Sequence, residues 1–90
     1  MTEIQLYDLL IKNNLEEDID FVINKKYPES TFFYDFFFPQ LNEYIEIAGR
    51  LDNLDYQKHM EFKQKQFNAT ILEPSMAKKY FKDIIQRVKS

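Results

Sequence analysis

A chain of 90 residues supports one core only, since a domain this small buries roughly 60% of its unfolded surface. Hydrophobic residues at 44% and charged residues at 30% place it among folded soluble chains rather than disordered or membrane-spanning ones. The absence of cysteine excludes disulfides and thiolate metal sites, a single glycine excludes phosphate-cradling Gly-rich loops, and a net charge of −3 argues against a surface that is basic throughout.

One glycine and three prolines are too few for the corners of a many-stranded sheet, so the expected fold class is all-α, a single-domain helical bundle of about four to five helices. In chain order, a first helix is predicted from Thr2 to Lys12, with Ile4, Tyr7, Leu10 and Ile11 at helical spacing and Thr2 as its cap. Asn13 and Asn14 break it. A second is predicted from Glu16 to Lys26, with Ile19, Val22, Ile23 and Tyr27 on one face and Glu16, Glu17 and Asp18 in the first turn, where the helix dipole favours acids. Residues 1–27 then form an antiparallel helical hairpin. Pro28 closes it, and Ser30 or Thr31 caps a short helix over the aromatic run Phe32–Phe38, which does not alternate polar with apolar as a half-buried strand would.

From Gln40 to Phe67 the pattern reads as helical, its stripe formed by Leu41, Tyr44, Ile45, Ala48, Leu51 and Leu54 and thinning to Tyr56, Met60, Phe62 and Phe67. Residues 31–67 thus make up an aromatic-rich central region. Asn68 to Glu73 read as a connection. Ser75 caps a basic amphipathic helix over 76–88, in the segment 75–89, whose apolar face is Ala77, Tyr80, Phe81, Ile84, Ile85 and Val88. Charge is unevenly placed: residues 1–55 hold twelve acids against four bases, net −8, whereas 56–90 hold three against eight, net +5.

No catalytic, cofactor or metal site is predicted. His59 has no nucleophile near it in sequence, and Ser30, Ser75 and Ser90 lack an elbow glycine. Asp55 and His59, with Asp52 a turn earlier, have a spacing that can share a helix face, but they read as a solvated pair. The acids Glu16, Glu17, Asp18 and Asp20 lack the glycine and terminal glutamate of a calcium loop. Glu43 and Glu46, a spacing open to acid–base work, read as the solvated side of an amphipathic helix. Asn68-Ala69-Thr70 fits the glycosylation acceptor pattern. The start MTEIQLYDLLIKNNLEED has acids at Glu3 and Asp8 and no secretory pattern, and no apolar run approaches a bilayer's thickness, so a cytoplasmic chain without a membrane span is expected.

The expected function is therefore non-enzymatic: a protein-binding adaptor, regulatory or assembly subunit, with self-association as one form of it. Its contact surface is the aromatic block, where a helix turns Phe33, Phe36 and Phe37 inward and leaves Phe32, Tyr34 and Phe38 for a partner. The alternative is a small nucleic-acid-binding regulator presenting Lys78, Lys79, Lys82, Arg87 and Lys89 to phosphates. The Asn, Lys, Ile, Phe and Tyr bias matches products of AT-rich genomes, those of viruses or mobile elements included.

Overall fold

The computed structural model describes residues 3–49 and 53–90; Thr2, Leu51 and Asp52, to which the sequence assigned a cap, a stripe position and a ligand, lie outside them. Its elements are α1 (Glu3–Lys12), β1 (Val22–Ile23), β2 (Phe36–Phe38), β3 (Glu43–Ile47), α2 (Leu54–Phe67), β4 (Thr70–Leu72) and α3 (Pro74–Lys89). The four strands form one mixed sheet in the order β1-β2-β3-β4, antiparallel except for the parallel pair β3–β4. A parallel pair needs a crossover, and α2 provides it. This α/β architecture overturns the all-α bundle.

The corrections have particular causes. Residues 16–26 are not a second helix. Glu16 O instead accepts from the amides of Ile19, Asp20 and Phe21, and β1 follows. The helical hairpin over residues 1–27 is lost with it. The aromatic run is not a helix either: β2 occupies its last three residues, and Lys26 bridges Phe33 to extend the β1–β2 hairpin. The long helix from Gln40 begins only at Leu54, because Glu43–Ile47 is β3, and the connection after Asn68 contains β4.

Turns without glycine are made by residues that tolerate left-handed backbone. Asn14, Asp18, Asn24, Glu29, Asn42 and Asn68 hold φ between 50° and 69°, and short amide side chains bear that conformation at the least cost. At the end of α1, Asn14 reverses the chain and Leu15 N donates back to Leu10 O at 3.1 Å, the bond that closes a helix C-terminus. Asn68 ends α2 in the same way.

Both faces of the sheet are covered. Phe36, Phe38, Ile45 and Leu72 pack with Leu6 and Leu10 of α1 and with Ala77, Phe81, Ile84 and Ile85 of α3. On the other face Tyr27, Tyr34 and Ala69 pack with Phe37, Tyr44, Ile71 and Phe67 of α2, where the Tyr27 and Phe67 rings stack at 4.1 Å. Alternate strand residues point to opposite faces, so Glu46 shares the face of Tyr44, toward α2. Among the described residues no helix is long and apolar enough to cross a membrane.

Candidate active site

Glu46 is the one charged or polar residue in the buried set, 3% exposed. It reaches that position because β3 is apolar on both sides of it and register with β4 sets it opposite Ile71. The expectation that it lies on a solvated helix face is thus corrected. Its carboxylate accepts the Tyr27 hydroxyl at 2.9 Å and is paired with the Lys63 ammonium at 2.7 Å. Burial pushes the Glu46 carboxyl above its ordinary range, while Lys63 and Tyr27 pull it back. Tyr27, buried against that carboxylate, is pushed above the ordinary phenol range by burial first and by Glu46 second.

Lys63 comes from the middle of α2 and reaches into the sheet's edge of the layer. Its ammonium also donates to Phe33 O at 3.1 Å and stands 6.0 Å from the Phe32 ring centre. Asp35 immediately precedes β2, and its Oδ2 accepts the Ile47 amide at 2.7 Å. That bond ties its carboxylate to the residue after Glu46. Glu3, in the first turn of α1, completes the group: a hydrogen bond with Asp35, burial and repulsion from Asp35 and Glu46 raise its carboxyl to about 7. The Glu3 carboxyl therefore retains its proton into the neutral range.

Asp35 reaches the end of β3 through the Ile47 amide, while Glu46 and Lys63 lie on the α2 face of the sheet and are not part of the pocket that Glu3 and Asp35 share. Glu3 and Asp35 rim a pocket of about 360 Å³ that is lined between them by Ile4, Tyr7, Ile23 and Phe36. Among the described residues no group of three or more His, Cys, Asp or Glu is close enough to enclose an ion alone. A magnesium-type ion does not require one: it keeps its waters and takes one or two carboxylates together with substrate phosphate oxygens.

Of the residues chosen from the sequence, Phe38 and Tyr34 are interior, at 0% and 6% exposure. Phe32 is half-buried against Phe62 and His59, and it is Phe33 that is exposed, at 52%. The expected facing fails at Phe33, Tyr34 and Phe38, because the segment is strand and hairpin rather than helix, while Phe36 and Phe37 pack inward as expected. Lys78, Lys79, Lys82 and Lys89 are exposed on α3 as expected. Arg87 is engaged, 3.0 Å from Asp83 and 3.4 Å from Glu43, whose other oxygen takes the Tyr80 hydroxyl. Asp55 and His59 line only a shallow surface recess with Asn53 and Tyr56.

The residues missed from the sequence are Glu3, Asp35, Glu46 and Lys63. One signal was there: Asp35 is the lone charge within Phe32–Phe38, and Glu46 is the lone charge within Tyr44–Ala48. An acid inside an apolar run is costly to bury and marks a site. No protein-family model matches the chain, and neither the curated proteins nor the solved structures compared with it include a match.

Proposed function

We propose that the chain is a metal-dependent phosphodiester hydrolase that cuts nucleic acid, with Glu3 and Asp35 binding the ion and Glu46 and Lys63 acting on the reacting phosphate. The observation that carries this reading is the buried Glu46–Lys63 pair, one residue along β3 from the amide that Asp35 holds, with Glu3 and Asp35 lining one pocket. A buried ion pair gives no more stability than apolar residues of the same volume, so an arrangement this costly points to chemistry rather than to folding. A divalent ion held by Glu3 and Asp35 would relieve their repulsion, and would supply an acidified water and polarise a phosphoryl oxygen.

Hydrolysis would add a water oxygen to phosphorus as the P–O bond to the sugar breaks, the departing sugar oxygen taking its proton from water. Lys63 contributes positive charge where the oxygens become more negative, in a site whose low dielectric strengthens it. Glu46 and the Phe33 carbonyl hold its ammonium in place. A polymer is favoured over a mononucleotide because Glu3 and Asp35 rim an open pocket and exposed lysines with no ion pair to a described residue lie on α3. A protein-binding role loses two of the three rings on which it rested, Tyr34 and Phe38, to the core.

The test is cleavage of end-labelled duplex, single-stranded and branched DNA and RNA by the full chain with magnesium or manganese. Chelation should abolish it. Asp35→Asn and Lys63→Met should each lose about a hundredfold or more while keeping the parent's far-UV circular dichroism. A folded protein that cuts none of these substrates with either ion overturns the proposal.

A further inference from the structure

Lys78, Lys82 and Lys89 recur at four and seven positions along α3, a spacing that puts them on one stripe of the helix. At 1.5 Å per residue they stand about 6 Å and about 10 Å apart along its axis. All three are exposed, as is Lys79 beside them, and none is ion-paired with a described residue. The one acid within α3, Asp83, is turned to Arg87. The buried side of the helix, Ala77, Phe81, Ile84 and Ile85, is fixed against the sheet, so the lysines are held by a rigid element.

We propose that this stripe is the docking track for the phosphate backbone of duplex nucleic acid, the substrate class of the hydrolase proposed above, on which the inference rests. Cations held along one stripe of a helix neutralise backbone phosphates and release their counterions. Single strands are gripped differently, by aromatic platforms on which bases stack. No exposed ring lies on α3: its Tyr80 is half-buried and bonded to Glu43, and its Phe81 is fully buried. The exposed rings Phe33 and Phe62 belong to the hairpin and to α2, on the far face of the sheet. The opposite charge also orients the approach: Glu16, Glu17 and Asp18 are exposed in the turn before β1 and repel phosphate, so the duplex is steered to α3.

The test measures fluorescence anisotropy of a fluorescein-labelled DNA duplex with the full chain in calcium, and cleavage in magnesium. The triple variant Lys78→Gln/Lys82→Gln/Lys89→Gln should weaken binding by about tenfold or more at low salt and lower the slope of log affinity against log salt by about 3. It should raise KM with kcat unchanged at saturation, because the stripe does not touch the reacting groups. Lys58→Gln/Lys65→Gln on α2 should leave both unchanged, and unlabelled single strands should compete poorly. Wild-type cleavage with unaltered binding by the triple variant overturns the track and leaves the hydrolase standing. Duplex binding that depends on the stripe without cleavage by any ion supports the track and removes the hydrolase. Equal competition by single strands, or binding of phosphatidylserine vesicles in place of duplex, overturns it.

Discussion

Glu46 and Lys63 hold opposite charges at 4% and 12% side-chain exposure, and the ammonium offsets the cost of burying the carboxylate. Lys63→Met leaves the carboxylate buried without its cation, and a lone buried charge costs about 3 kcal/mol. Burial already raises the Glu46 carboxyl, and loss of Lys63 raises it further. The folded variant then keeps a proton that the unfolded chain has released, so its stability falls as pH rises above the carboxyl's ordinary range. Urea denaturation should show Lys63→Met much weaker than wild type at pH 8 and closer to it at pH 5. Adding Glu46→Gln should recover part of the loss at pH 8; equal deficits at both pH values would refute this account.

Glu3 has the same sign. Its carboxyl is raised from 4.5 to about 7, so the stability tied to its retained proton is full below 4.5 and is lost as pH rises through 7. Glu3→Gln should therefore raise Tm at pH 8 and leave it unchanged at pH 4. Magnesium should raise the wild-type Tm at pH 8 and raise that of Glu3→Gln less, because the variant has lost one of the ion's carboxylates.

At the scale of elements, the left-handed asparagines replace the glycines that the sequence lacks. Asn68 takes φ 56° between α2 and β4, where a residue with Cβ and no amide costs about 1 kcal/mol. Asn68→Ala should lower stability by about that amount in chemical denaturation, and Asn68→Gly should match or exceed wild type; if alanine is harmless the turn does not depend on that backbone. The same substitution of asparagine for glycine explains what was hidden. Counting glycines argued against a sheet, although Asn24, Asn42 and Asn68 take the left-handed backbone at turns beside its strands.

The outer helices were legible because one face of each sees water: Glu3–Lys12 buries Leu6 and Leu10, and Pro74–Lys89 buries Ala77, Phe81, Ile84 and Ile85, although Ile4 and Ile11 of the expected first stripe are exposed. The strands were not, because helices cover both sides of the sheet and alternation disappears when both faces are buried. Phe36–Phe38 is continuous for that reason, and Tyr44, Ile45 and Ala48 fit a helical stripe by coincidence. The candidate site was hidden by the same error, since a strand buries Glu46 where a helix with that stripe would have exposed it.

For the whole molecule, the consequence of a sheet covered on both faces is that its two cores share one backbone. Phe81 is fully buried and meets Phe36 and Phe38 edge-on at 5.0 and 5.8 Å, while Phe37 between them packs on the opposite face with Tyr44 at 4.4 Å. Phe81→Ala should cost about 3–5 kcal/mol, a large part of the roughly 5–13 kcal/mol expected for a domain of this length. Because β2 and β3 contribute to both clusters, the loss on the α1–α3 side has to be felt on the α2 side. Amide hydrogen exchange should therefore speed up for Tyr34 and Ala69, which Phe81 does not touch, by the same factor as for Leu10. Exchange that quickens at Leu10 alone would mean that the α2 face stands without the α1–α3 face, and that Glu46 and Lys63 are held by a unit independent of the helix that carries Glu3.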